Sequence, residues 1–272
     1  MSRGRVLITG AGTGIGRACA LYLADEGFHI IAAGRREEPL AALEREKPGS
    51  VMGMTMDVTD NASVEAAVAK ISPVDHLVNN AGVSVMGPIE AIGTDEWRRQ
   101  FEVNVFGVAT VTRAVLPQMR QRGAGRIVNI GSVTGRVVPP FMGCYGASKH
   151  AVEGLTDALR REVAGQGIYV SLVRPGFVNT NFGDQEQESL KKHSHFAYDE
   201  ALSRFAKWHH DSGHKVAPDP VVVAHAVERA LTDAKPRTRY ACPAQARRFL
   251  FLRRILPDRM IDGMIARTIG GG

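Results

Sequence analysis

Tyr145 and Lys149, four positions apart in the run Tyr-Gly-Ala-Ser-Lys, are the side chains of this sequence best suited to moving a proton. On a helix, positions i and i+4 share a face about one turn apart. A free phenol titrates near pH 10, too high for efficient exchange at neutrality. A neighbouring ammonium favours the phenolate and lowers that value, which would make Tyr145 a general acid/base. Ser132 closes the run Asn129-Ile130-Gly131-Ser132 at the end of a short apolar segment. Its hydroxyl would hold a carbonyl oxygen in line with Tyr145. Asn104 lies between Val103 and Val105 in a helical stretch, although asparagine is a poor helix-interior residue. Its side chain has two readings: it binds a water behind Lys149 and relays protons to solvent, or it is a buried amide satisfying a local backbone kink.

A second group of residues is built to hold a phosphate. Val6-Leu7-Ile8 runs into Thr9-Gly10-Ala11-Gly12-Thr13-Gly14-Ile15-Gly16, and a helical pattern follows. Strand, glycine turn and helix together present backbone N–H groups and a positive helix end to a pyrophosphate. Ile15 stands where G-x-G-x-x-G counted from Gly10 would need glycine, so the spacing is G-x-x-x-G-x-G on Gly10, Gly14 and Gly16. The next apolar segment ends Ala33-Gly34-Arg35-Arg36. An acidic side chain there would bond the ribose hydroxyls of NAD. Glycine followed by arginines instead suits a 2′-phosphate, because a guanidinium pairs with it where a carboxylate would repel it. The expectation is an NADP(H) site with Arg35 as the leading contact and Arg36 as the secondary one. Asp57, next to Val58, would accept from the adenine amino group or cap the turn before Asn61. In Asn79-Asn80-Ala81-Gly82 the amides would stitch neighbouring loops and the small residues would let backbone approach the cofactor.

The elements that must position these residues alternate. Strands are expected at 6–9, 29–33, 51–57, 76–79, 126–130 and 169–173, with a last short one at 239–241. Helical patterns lie between them: one ending near residue 27, then 37–47, 61–71, a long one through 97–115, 145–163 and 218–232. Short apolar strands separated by helices imply a parallel sheet with right-handed crossovers, whose strand ends gather the ligand loops. No linker divides the chain, so 1–272 reads as one Rossmann-type α/β domain. Residues 181–216 read as an irregular, His-rich substrate lid with helical pieces, and 245–272 as a C-terminal helical extension.

Taken together, T-G-A-G-T-G-I-G, Asp57-Val58, N-N-A-G, Asn104, Ser132, Tyr145-x-x-x-Lys149, Arg174-Pro175-Gly176 and Thr180 resemble the short-chain dehydrogenase/reductase family over about residues 4–180. The surrounding sequence is similar to its hydroxysteroid and retinol dehydrogenase branch. The resemblance implies a doubly wound sheet of about seven strands and an Asn104–Ser132–Tyr145–Lys149 catalytic tetrad. It implies that Lys149 holds the nicotinamide ribose. The carboxamide would be held by Thr180 and by backbone following Pro175-Gly176, including Val178. It also implies a homodimer or homotetramer. Gly131 departs from the pattern, since many relatives carry a second serine there.

The reaction expected is hydride transfer between NADP(H) and a bulky hydrophobic secondary alcohol/ketone, steroid- or retinoid-like. Phe177, Phe182, Phe196, Tyr198, Phe205 and Trp208 would form an aromatic lid, with Val133, Val137, Val138, Phe141 and Met142 on the opposite wall. A 3-oxoacyl-thioester reductase and a non-catalytic NADP-sensing or scaffold protein are the alternatives. Irregularly spaced His193, His195, His209, His210 and His214 do not read as a metal site. The net charge is +6, and residues 240–272 hold six arginines against two aspartates. No basic stripe interleaved with aromatics accompanies them, so nucleic acid is not an expected partner. The basic and apolar run from Arg247 to Leu256 would pack on the protein or lie on an anionic membrane surface. Three dispersed cysteines, no signal-like leader and no apolar run of ~20 residues fit a cytoplasmic location.

Overall fold

The computed structural model describes residues 3–212 and 216–269; His214, the side chain of Phe196 and the terminal glycines fall outside them. The described strands are β1 (Arg5–Thr9), β2 (His29–Gly34), β3 (Val51–Thr55), β4 (His76–Asn79), β5 (Gly125–Ile130), β6 (Ile168–Pro175) and β7 (Arg239–Cys242). They pair in parallel in the order β3-β2-β1-β4-β5-β6-β7. The order reverses between β2-β1 and β4, which opens a crevice at the carboxyl ends of β1 and β4.

Both faces of the sheet are covered. Val6, Ile8, Ile30 and Val128 face helices α1 (Gly14–Asp25), α2 (Glu37–Glu46) and α9 (Val221–Thr232), through Cys19, Leu23, Leu43 and Val227. Leu7, Ile31, Leu77 and Ile127 face α3 (Asn61–Ile71), α5 (Gly107–Arg122) and α6 (Gly143–Glu162), through Val64, Val68, Val111, Val115 and Leu159. Strands buried on both sides read as the short, nearly continuous apolar runs seen in the sequence.

Three expectations need correction. The third strand stops at Thr55, and Asp60, not Asp57, caps α3 by accepting from the Ala62 N–H at 2.9 Å. The single long helix through 97–115 is α4 (Thr94–Phe101) and α5 joined by a π-helical turn, Glu102–Phe106. The helical pieces of the lid are α7 (Phe182–Lys192) and α8 (Asp199–Asp211), and the C-terminal extension is two helices rather than one, α10 (Ala244–Ile255) and α11 (Asp258–Ile269). No described helix is long and apolar enough to cross a membrane.

Candidate active site

The glycine loop is shaped by close backbone approach. Gly10 has φ +64° and Gly14 φ +54°, conformations that favour glycine. A Cβ on Gly16 would lie 2.2 Å from Gly10 O and 2.5 Å from Asn80 Nδ2. Gly16 therefore does not line the cavity; it lets α1 pack beneath the loop. Thr13, at the start of α1, makes no side-chain cap bond, and the first turn has no acidic residue. The free N–H groups and the positive helix end are thus left for an anion. Asn80 ties the β4 loop to β1, donating from Nδ2 to Thr9 O (3.0 Å) and Gly10 O (3.2 Å). The Thr9 hydroxyl accepts from the backbone N–H groups of Asn80 and Ala81, both at 3.0 Å.

One continuous cavity of about 1420 Å³ runs from this loop to the tyrosine. Gly10, Gly12, Thr13, Gly14, Ile15, Arg35, Arg36, Asp57, Val58, Asn80, Ala81 and Gly82 line one arm. Ser132, Tyr145, Lys149, Pro175, Gly176, Val178 and Thr180 line its middle. Arg35 and Arg36 are both exposed and form no salt bridge among the described residues, whereas nearby Arg17 and Arg45 pair with Glu46 and Glu38. Asp57 Oδ1 accepts from the N–H and hydroxyl of Thr59 (3.0 and 2.8 Å) while the residue still lines the cavity. Its turn and ligand-facing roles are compatible. Glycine cradle, uncapped helix end, two guanidiniums without a salt bridge among the described residues and an elongated cleft fit a dinucleotide.

At the other end, Lys149 is buried and donates from Nζ to Ile130 O at 2.8 Å. Nζ lies 5.7 Å from the centroid of the Tyr145 ring, on the helical turn the spacing predicts. Burial pulls the Lys149 ammonium down to about 8. Burial also raises the Tyr145 phenol above its ordinary value; the charge of Glu186 adds to this, and a hydrogen bond with the Ser132 hydroxyl opposes it. The sequence-based expectation of a lowered phenol is therefore not met in the free protein. Loss of water around both groups outweighs the attraction of one ammonium that is itself desolvated. Ser132 Oγ also accepts from the Thr134 N–H at 3.1 Å.

Asn104 does not reach the cavity. Its Oδ1 accepts from the Val83 N–H (2.9 Å), and its Nδ2 donates to Val83 O (3.0 Å) and Ser148 Oγ (3.1 Å). With both N–H groups engaged, the amide ties the loop after β4 to α6. Gln100, unnoticed in the sequence, does the same one turn earlier, pairing with the Val85 N–H and Val83 O, each at 2.7 Å. The π-helical turn is what lets both amides reach one loop.

The substrate side is formed by helices. Phe177, Phe182 and Trp208 line the cavity, as do Val133, Val137 and Met142. Phe205 is fully buried against Phe141, and Tyr198 donates to Glu90 at 2.6 Å; neither residue lines the cavity, and Val138 and Phe141 do not either. Phe249, Met264, Ile265 and Ile269 bring α10 and α11 into the wall. The lid histidines differ among themselves. His193 is buried and bonded to Met86 O (3.0 Å) and Glu96 (2.5 Å), which pins α7. His209 faces Glu186 at 3.4 Å. Among the described residues no three His, Cys, Asp or Glu side chains converge as metal ligands. Cys144, beside Tyr145, is buried with its thiol pushed up to about 12, which makes it a packing residue.

Comparison with known proteins agrees with this geometry. The family model for short chain dehydrogenase matches residues 4–191. The chain is 32% identical over 274 residues to the NADPH-dependent 3-dehydrocapnine reductase of Ornithobacterium rhinotracheale, covering 97% of this chain and 96% of that protein. A short-chain dehydrogenase from Streptomyces avermitilis superposes with a TM-score of 0.81 at 33% identity, covering 97% and 94% of the two chains. A short chain dehydrogenase/reductase from Burkholderia phymatum in complex with NAD gives 0.76 at 32% identity, covering 93% and 92%. By its fold, its glycine cradle, its Tyr145–Lys149 turn and these matches, this chain belongs to the short-chain dehydrogenase/reductase family, as an NAD(P)-binding oxidoreductase.

Proposed function

We propose that this protein is an NADP(H)-dependent oxidoreductase acting on a bulky hydrophobic secondary alcohol/ketone pair. The observation that carries the reading is the placement of Ser132, Tyr145 and Lys149 in one cavity with the glycine loop and two arginines that have no salt-bridge partner among the described residues. Arg35, with Arg36 beside it, would hold the 2′-phosphate. Gly10 to Ile15 would hold the pyrophosphate, and Lys149 with Thr180 the nicotinamide end. When bound, the cofactor supplies or accepts the hydride at the carbinol carbon. Ser132 orients the carbonyl oxygen, Tyr145 gives it a proton in reduction, and Lys149 stabilises the phenolate left behind. Asn104 acts as a positioning residue through Val83 and Ser148.

The apolar side chains of the wall support a large hydrophobic substrate of steroid- or retinoid-like bulk. The name of the similar 3-dehydrocapnine reductase supports ketone reduction with NADPH as the working direction. A panel of hydrophobic ketones with acetoacetyl thioesters as controls, followed by NADPH absorbance, tests the proposal. Consumption with bulky ketones is expected. Consumption with thioesters alone, or with NADH alone, would overturn it.

A homodimer or homotetramer in the cytoplasm completes the proposal, and light scattering tests the assembly. A second reading concerns α10 and α11. Phe251, Ile255 and Met260 are 62%, 58% and 54% exposed within this basic segment, which favours contact with an anionic lipid surface. Cosedimentation with anionic vesicles, with and without residues 245–272, tests it: pelleting of the full chain only is expected, and no pelleting would remove the reading.

A further inference from the structure

A second cavity, of about 500 Å³, lies apart from the cofactor cleft and shares no described lining residue with it. Arg136, His150, Arg174, Arg239, Arg253 and Arg254 make its wall, and Leu250 is the one apolar member. Among the described residues no carboxylate lines it. The basic side chains come from five places in the chain: the residue closing the turn after Ser132, then α6, β6, β7 and α10. Helix α10 borders both cavities, with Gln245, Ala246 and Phe249 in the first and Leu250, Arg253 and Arg254 in the second. Like charges gathered from separate elements repel one another unless countercharge meets them.

Part of that charge is met from behind the wall. The buried Glu153 accepts from Arg174 Nε and Nη2, both at 2.5 Å, and from Arg239 Nε and Nη2, both at 3.4 Å. Asp157 accepts from Arg239 at 2.7 Å, and Arg253 pairs with Asp258 at 2.8 Å. Arg174 and Arg239 are thereby held in place, since moving them would strand a buried carboxylate. Arg136 and Arg254 are exposed and form no salt bridge among the described residues. His150 Nδ1 lies 3.2 Å from Gly146 O, so that nitrogen carries the hydrogen and Nε2 is left to a ligand.

We propose that this second cavity binds a phosphate or diphosphate group carried by a ligand other than the dinucleotide. Arg136, Arg254 and His150 Nε2 are its direct contacts, and the fixed Arg174 and Arg239 add positive potential. Glu153 shows what a planar carboxylate does here: it takes two guanidiniums from the adjacent strands β6 and β7. The three remaining groups stand on a turn and two helices, and the terminal oxygens of a tetrahedral phosphate suit donors that arrive from several directions. The volume exceeds what a bare ion needs and falls in the range of small-molecule sites. A soluble phosphorylated compound and a lipid headgroup share this chemistry. The inference does not depend on the reductase reading.

The test is calorimetry with diphosphate and with citrate, on protein mixed with saturating NADPH so that the cofactor arm is filled. Cosedimentation with phosphatidylcholine vesicles, with and without phosphatidate, runs beside it. Arg136→Gln and Arg254→Gln are the cavity variants; neither residue has a carboxylate partner to strand. Arg248→Gln, an exposed arginine of α10 outside the cavity, removes the same charge as a control. Diphosphate is expected to bind once per chain, about tenfold or more weaker in each cavity variant and within about twofold of wild type in Arg248→Gln. Equal weakening by all three substitutions would reduce the site to a general positive field and overturn the proposal, as would diphosphate binding that neither cavity variant alters. Citrate binding as tight as diphosphate would overturn the phosphate. Pelleting with phosphatidate vesicles alone, lost in both cavity variants and kept in Arg248→Gln, would uphold the site and assign the phosphate to a lipid headgroup. A wild type that binds neither diphosphate nor phosphatidate would sink it. Failure of NADPH to bind would count against the cofactor reading, and the cavity variants would still decide this inference.

Discussion

The two arms of the cavity are made differently. The cofactor arm comes from short stretches at consecutive strand ends, where backbone approach dictates residue type. Gly16 cannot carry a Cβ, and Gly10 and Gly14 sit at positive φ. The substrate arm comes from side chains on α7, α8, α10 and α11, brought together only by tertiary packing. Backbone-dictated sites announce themselves as local motifs, whereas a site made from helix faces has no local signature and is free to change specificity. The two arms meet at Tyr145, where the proposed chemistry would take place.

Four substitutions would break or sharpen that contrast. The largest effect belongs to the junction: Tyr145→Phe should lower kcat about 10³-fold while NADPH still binds with near-normal affinity, read by steady-state kinetics and cofactor fluorescence. Next is the buried carboxylate of the substrate arm. Its proton is held to about pH 8 in the folded chain, against an ordinary value of 4.5. The unfolded chain therefore binds fewer protons between these values, and wild-type stability should fall as the pH rises through that window. Glu186→Gln should remove the fall, gaining on the order of 4 kcal/mol relative to wild type by pH 8, with His209 and Tyr145 the titrating neighbours. A constant difference between the two melts from pH 4.5 to pH 8 would count against it. In the cofactor arm, Arg35→Asp should raise the KM for NADPH about 30-fold and leave that for NADH within about threefold, a loss of ~2 kcal/mol. An unchanged preference would remove Arg35 from the site. Phe249→Ala should be mildest: about a fivefold rise in KM for a hydrophobic ketone with cofactor affinity unchanged, since it deletes one partly buried ring.

The same contrast explains what was legible beforehand. Parallel strands buried on both faces gave continuous apolar runs, so strand positions and the sheet class could be read directly, apart from β3. There Met56 still donates its N–H to Gly34 O of β2 at 2.9 Å, and Asp57 Oδ1 then accepts from the N–H and hydroxyl of Thr59 in a turn. The glycine loop, Arg35, Ser132, Tyr145 and Lys149 could be read because each sits at a strand end or a one-turn spacing. Asn104 kept two readings, water relay and buried amide, because the π-helical turn that aims it at Val83 leaves no periodic trace. Helix α7 was hidden because its inward face, Phe182, Glu186, Ser189 and His193, puts polar groups at buried positions, and apolar periodicity does not detect such a face. A polar set at that helical spacing, beside a chain of aromatics, was the signal available.

The most direct measurement follows the hydrogen itself. NADPH carrying deuterium at both nicotinamide C4 positions is mixed with a bulky hydrophobic ketone, and the alcohol is analysed by mass spectrometry. The account predicts one deuterium on the carbinol carbon with wild type and no labelled alcohol above background with Tyr145→Phe. An alcohol formed without deuterium, or formed equally well without the Tyr145 hydroxyl, would contradict it.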